Sequence, residues 1–288
     1  MSIHDRHKER QFQIEIVQHL TTNNWIEGDS SKYDKELALY PEDIISYIKA
    51  TQIQEYEKMK KREGAKTDEV LCKHVAKEMD KHGSLYYLRN DLKYIGSKFK
   101  ICQFKPELHN PDTQVKYDAN ILRVVQEVTT KSGDVRIDLV LFLNGIPIST
   151  LELKTDFTQN VQDAINQYKY DRPAKGEALL EFKRRALVHF AVSTDEVYMT
   201  TKLAGAKTFF LPFNKGRDDG SAGNPHNPNG YATSYLWEEV LQRDSILNII
   251  SRYIHLEVKT KEDHEGKKSK SETLIFPRYH QLDVVRKL

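Results

Sequence analysis

Asp138-Leu139-Val140-Leu141-Phe142-Leu143-Asn144-Gly145-Ile146-Pro147-Ile148-Ser149-Thr150-Leu151-Glu152-Leu153-Lys154 is a pair of apolar runs joined at Asn-Gly. That dipeptide between apolar segments is the strongest short-range hairpin signal, because a tight turn needs residues that tolerate positive φ. The near-continuous apolar content predicts two strands buried on both faces, in the middle of a sheet covered by helices. Asp138, Glu152 and Lys154 are charged residues inside these strands, where an unpaired charge is costly. A divalent metal shared by the two carboxylates would offset that cost. Two carboxylates and a lysine around a metal is phosphodiester-cleaving chemistry.

Turn length decides whether the acids can meet. A strict two-residue turn at Asn144-Gly145 sets Asp138 opposite Leu151, facing away from Glu152. A three-residue loop, Leu143 to Gly145, pairs Phe142 with Ile146 and Asp138 with Thr150. Asp138 then lies diagonally across from Glu152 on one face, with roughly 7–8 Å between backbones. The odd-length loop is the expectation. The acidic-x-Lys pattern carries little by itself, since it recurs at Asp91-Lys93, Glu181-Lys183, Glu257-Lys259 and Glu265-Lys267. The apolar strand setting is what singles out Glu152-Lys154. Asp134 competes with Asp138 only if the strand begins earlier, and Gly133 beside it favours a turn.

Of 288 residues, 30% are charged, with 44 basic side chains against 42 acidic ones. A net charge of +2 gives no global nucleic-acid signature, so any DNA contact has to come from local patches. Cys72 and Cys102 lie far apart without metal-ligand spacing, which argues against a zinc site and a disulfide framework. The start lacks a signal-peptide core, and no run approaches the ~20 apolar residues that span a bilayer. A cytoplasmic protein with no membrane partner is expected.

Residues 8–20 read as an amphipathic helix with Phe12, Ile16, Val17 and Leu20 on one face, and Trp25 beyond. Glu15 borders that face, either as a carboxylate at the core's rim or as a third acid leaning toward the metal. Further helices are expected over 41–62, 67–82, 84–94, 158–171 and 236–254. Strands are expected at 121–128, 135–143, 146–154, 187–192 and 196–200. The result is an α/β core with a sheet of about five strands, flanked by helices and preceded by extra N-terminal ones. The Gly-, Asn- and Pro-rich stretch 214–235 is expected to be a contact loop, and it has no phosphate-loop motif. Residues 258–272 are polar and charge-dense, which suggests a linker.

Arg136 to Pro147, together with Leu151-Glu152-Leu153-Lys154, resembles the nuclease domain of the restriction (R) subunit of type I restriction-modification enzymes. Asp163-Ala164-Ile165-Asn166-Gln167-Tyr168 and the stretch from His189 to Asn214 extend the likeness. Phe276-Pro277-Arg278-Tyr279-His280-Gln281 resembles the adenine-contacting entry to that subunit's helicase-like motor, with Gln281 as the adenine contact of the full-length subunit. The resemblance implies a restriction-endonuclease-like fold of the PD-(D/E)xK superfamily. It also implies an endonuclease domain over 1–257, a linker over 258–272 and the start of a truncated motor over 273–288. Ile137 stands where the superfamily is often written with Pro. Gln167 matches the first place of a Gln-x-x-x-Tyr pattern whose last place is Asp171 here.

By this resemblance the chain is part of a type I site-specific deoxyribonuclease, weak or inactive alone. Asp138 and Glu152 would hold Mg²⁺, with the Leu153 carbonyl as a further ligand. Lys154 would act on the water or the phosphate, with Gln167 and Glu15 nearby. ATP would serve the missing motor. The implied partners are double-stranded DNA and the methyltransferase and specificity subunits. Two rivals are a stand-alone repair or restriction nuclease and a docking domain whose carboxylates are relics. Nothing in the chain reads a DNA sequence: it has no helix-turn-helix, zinc finger or strongly basic recognition helix.

Overall fold

Alternating Leu139, Leu141 and Leu143 on one side, with Val140 and Phe142 on the other, make the central strand apolar on both faces, and all five are buried. In the computed structural model, which describes residues 3–108, 110–155, 160–217, 219–262 and 268–288, that strand lies near the middle of a seven-stranded mixed sheet. The chain enters through helix α1 (Ile3–Thr22) and strand β1 (Ile26–Gly28). Helices α2 (Pro41–Thr51), α3 (Ile53–Glu63), α4 (Thr67–His82) and α5 (Ser84–Arg89) follow. A small hairpin, β2 (Leu92–Tyr94) and β3 (Ser97–Phe99), leads to α6 (Pro111–Asp118). The core comprises β4 (Leu122–Thr129), β5 (Arg136–Leu143), β6 (Ile146–Leu153), α7 (Val161–Asn166), β7 (Val188–Val192), β8 (Val197–Thr200) and β9 (Leu211–Pro212).

The sheet runs β1-β4-β5-β6-β7-β8-β9. The five strands expected from the sequence are its consecutive centre, and β1 and β9 add the edges. β6 and β7 are parallel, which demands a crossover, and α7 supplies it. One face packs under α1 through Phe12, Ile16 and Leu20 against Leu139, Leu151 and Leu153. The other packs Val140 and Phe142 against Ala164, Ile165 and Tyr168. Both faces are covered, as the apolar strands required.

Several helices differ from expectation. The helix expected over 41–62 breaks at Gln52 (φ −147°, ψ 41°), whose side chain donates to Lys100 O at 2.8 Å and accepts from Lys100 N at 2.6 Å. That over 84–94 stops at Arg89, because Ile95 and Gly96, both at positive φ, turn the chain into β2–β3. Of 158–171, the first two residues lie outside the described ones, and a wider π-type turn follows α7 at Gln167–Asp171. Residues 236–254 form α8 (Arg243–Asn248) between two such turns.

Where a linker was expected, β10 (His255–Glu262) and β11 (Lys268–Ile275) pair antiparallel, with 263–267 outside the described residues. Alternation at Leu256, Val258 and Thr260 was the missed strand signal. Leu274 and Phe276 are buried against the main core, as is Leu282 of the last helix, α9 (Tyr279–Lys287). No helix among the described residues is long and apolar enough to cross a membrane.

The turn itself corrects one expectation. Leu143 pairs with Ile146, so the loop has two residues, not three, with Asn144 at φ 49° and Gly145 at φ 80°. The turn is buried. Asn144 Oδ1 accepts from Ile121 N, and Nδ2 donates to Ile101 O and to Asn120 Oδ1. A Cβ on Gly145 would sit 2.3 Å from Tyr40 O, which leaves no space for a longer loop. A bulge then changes the parity. Phe142 faces Pro147 but Leu141 faces Ser149, which leaves Ile148 as the extra residue. Leu139 pairs with Leu151, so one step further Asp138 comes up against Glu152 on the same face. The acids meet as expected, by a different route.

Candidate active site

Three charged side chains converge where β5 begins and β6 ends. Asp138 Oδ2 accepts a 2.7 Å hydrogen bond from the Leu153 amide, tying the carboxylate across the two strands. Burial pushes its pKa up to about 6. The Glu9 and Glu127 carboxylates push the same way, while Lys154 and the Leu153 amide pull it down. Glu152 is fully buried, and its pKa is raised well above the ordinary value by burial and then by Asp138. Arg172 opposes that shift by gripping both oxygens, Nε to Oε1 at 2.6 Å and Nη2 to Oε2 at 3.2 Å. Lys154, just past β6, is also buried. Its ammonium donates to Glu9 Oε1 and to its neighbour's carbonyl, Leu153 O, each at 2.9 Å.

The third acid at the site comes from α1, but it is Glu9 and not Glu15. Glu15 accepts from Gln11 at 3.1 Å and bonds the Tyr231 hydroxyl. Six positions apart, the two acids point about 120° away from each other around the helix. Gln13, one turn on from Glu9, is buried and donates to Asp138 O at 3.0 Å, fixing α1 over the strand end. Asp134 stays in the exposed turn beside Gly133, away from the strands. Gln167 sits on the π-type turn that delivers Arg172, and its Oε1 is buried with no hydrogen-bond partner among the described residues.

Tyr168 packs beneath Glu152. Its hydroxyl shares a 2.7 Å hydrogen bond with Thr150, two residues before Glu152 on the same face of β6. Thr150 also bonds His189 Nδ1 at 2.8 Å, and burial drops that imidazole to about 3, so it is neutral. This chain of three orients the helix turn that carries Arg172. Gln281 is far along the sequence on α9, exposed, with its Oε1 accepting from Arg278 N.

Glu9, Gln13, Glu127 and Arg172 were not singled out from sequence. Glu9 had a signal, since it shares a helix stripe with Phe12, Gln13 and Ile16. Arg172 had none beyond its place before Pro173. Glu127 holds φ 53° inside β4, where a non-glycine residue rarely sits.

The donor set bears on a metal in two ways. Among the described residues no group of three or more His, Cys, Asp or Glu side chains gathers as a metal would require. The two-carboxylate arrangement nevertheless suits a hard cation. Asp138 and Glu152 bring oxygens from adjacent strands to one face, and Glu9 Oε2 is buried beside Lys154 with no partner among the described residues. Arg172 supplies the positive charge that the buried Glu152 needs in this structure.

Two comparisons place this chain beside known proteins. A family model described as type I restriction enzyme R protein N terminus matches residues 51–208, which include Asp138, Glu152, Lys154 and Arg172. A putative type I restriction enzyme MjaVIIIP endonuclease subunit from Methanocaldococcus jannaschii is 28% identical over 183 residues, covering 59% of this chain. The matched part is 15% of that relative's length.

Proposed function

This chain belongs to the family of type I restriction enzyme R protein N termini, and from that premise we propose that it is a metal-dependent DNA endonuclease domain. The observation that carries the proposal is the pairing of Asp138 and Glu152 on one face, with Lys154 closing the strand end. Asp138 and Glu152 would hold Mg²⁺, with the Leu153 carbonyl in reach. The ion would supply a polarised phosphoryl oxygen and a bound water of lowered pKa.

The chain's own groups do the rest. Asp138 is pinned by the Leu153 amide and lines the cleft. Lys154 is held by Glu9 and stays oriented toward the strand end, where its ammonium would neutralise charge developing on a phosphate. A cation held by Glu152 would take over the role Arg172 now fills, and the freed guanidinium would then be a second positive group for a phosphate. Gln167, with an unpaired Oε1 on the same turn, would orient a water or a DNA group. ATP-driven translocation and assembly with methyltransferase and specificity subunits are proposed for the whole protein alone, of whose relative this chain matches a small part.

A second reading draws on the Arg172 grip: a docking domain in which Glu152 forms a permanent ion pair and holds no metal. Calorimetric titration of Mn²⁺ into the wild type and Glu152→Gln separates the two. The nuclease reading predicts one specific site that the variant loses. Equal, weak uptake by both would leave the docking reading.

A further inference from the structure

Asp138 opens into a cleft of about 380 Å³ between α1 and the start of β5, and two arginines line it, Arg10 and Arg136. Arg136 lies two residues before Asp138 and shares its side of the strand, while Arg10 follows Glu9 on α1. The two arginines therefore line the cleft that Asp138 opens into from two different elements.

Most of the described arginines have partners. Among the described residues Arg123, Arg172, Arg184, Arg185 and Arg252 are all in ion pairs with carboxylates. Arg89 and Arg243 are held by backbone carbonyls. Arg10 and Arg136 are exposed and have neither kind of partner among the described residues, although Glu9, Glu127 and Asp138 line the same cleft. Charge decides what this arrangement suits. Three carboxylates are balanced by the two guanidiniums and the Lys154 ammonium on Glu9, so the cleft is neutral. Without the arginines it would repel a phosphodiester; with them and a divalent cation it attracts one. A guanidinium's planar fork matches two phosphate oxygens, which a lysine's point charge does not.

We propose that Arg10 and Arg136 form a clamp for DNA backbone phosphates on either side of the site, positioning the strand over Asp138. The ligand's identity as DNA rests on the nuclease reading. The clamp carries no sequence information, because phosphate contacts position and do not specify.

The test is anisotropy of a labelled duplex with the whole chain in EDTA, where nothing is cut, across a salt series. Each phosphate contact removed lowers the slope of log affinity against log salt by about 1. The Arg10→Ala/Arg136→Ala double variant should lose about 2 from that slope and bind all sequences more weakly. Arg10→Lys/Arg136→Lys should keep the slope, and Arg252→Ala, away from the cleft, should match wild type. An unchanged slope in the double alanine variant, or no duplex binding by the wild type, overturns the clamp. Parallel cleavage assays in Mg²⁺ keep the two claims apart. A lost slope without cutting by any protein upholds the clamp and sinks the nuclease reading, whereas cutting with an unchanged slope sinks the clamp alone.

Discussion

Arg172 closes on Glu152 with two hydrogen bonds, 2.6 and 3.2 Å long, at a carboxylate with no exposure to solvent. The guanidinium comes from the turn after α7, on the crossover from β6 to β7, so that crossover delivers the charge that makes a buried glutamate tolerable. A permanent pair and a place-holder for a metal look alike in a resting site. They differ in what removing each partner does.

Arg172→Ala strands Glu152. Breaking a buried pair from one side costs about 3–5 kcal/mol. Glu152 can escape by taking a proton, so the loss should be greatest at pH 8 and smaller at pH 5. Arg172→Ala/Glu152→Gln should recover most of it. Urea denaturation at both pH values checks this, and a single variant within 1 kcal/mol of wild type at pH 8 would contradict it.

Asp138 is a buried carboxylate that costs stability. Its ordinary pKa of 3.8 is pushed up to about 6 in the fold. Between those values the folded state binds the proton more tightly than the unfolded one. Its contribution therefore falls as pH rises through that window and is level above it. Asp138→Asn keeps an acceptor for the Leu153 amide without a buried charge. It should be more stable than wild type by roughly 1–3 kcal/mol at pH 8, with no gain at pH 3.5, and inactive. Lower stability at pH 8 would count against the assignment.

Glu9 and Glu15 separate cleanly. Glu9→Gln should reduce cutting at least tenfold by releasing Lys154, while Glu15→Gln should leave it within twofold of wild type. A plasmid assay under one set of conditions reads both. The reverse order would show that α1 presents a different face to the site.

Gly145 tests the turn that sets the register. An added Cβ at φ 80° would meet Tyr40 O at 2.3 Å and Ile44 Cγ1 at 2.7 Å, one of them backbone. Gly145→Ala should cost on the order of 3 kcal/mol or more by prising α2 off the hairpin. A melting temperature unchanged from wild type would disprove the close approach.

The central strands were readable because burial on both faces leaves a continuous apolar signature. That Asp138 and Glu152 share a face was expected too, but with Asp138 paired to Thr150, a register the structure does not have. The turn length was not readable, since parity came from a bulge at Ile148. Pro147, which cannot donate to the ladder, was the hint. Glu9 had a signal in its stripe with Phe12, Gln13 and Ile16, but Glu15 borders the same apolar face, and only the helix's docking angle chooses between them. Arg172 depends on where the crossover turn ends, a tertiary fact with no local pattern. The β10–β11 hairpin was masked by its charge, because solvent-facing strand residues look like linker when half of each strand is Lys, Glu or Ser.

The most direct measurement is nicking of supercoiled plasmid by the purified chain at high concentration in Mg²⁺ or Mn²⁺, beside Asp138→Asn and Lys154→Ala, with folding verified by circular dichroism. The account predicts slow, metal-dependent nicking by the wild type and none by either variant. Cutting that survives in a folded Lys154→Ala or Asp138→Asn protein would contradict it.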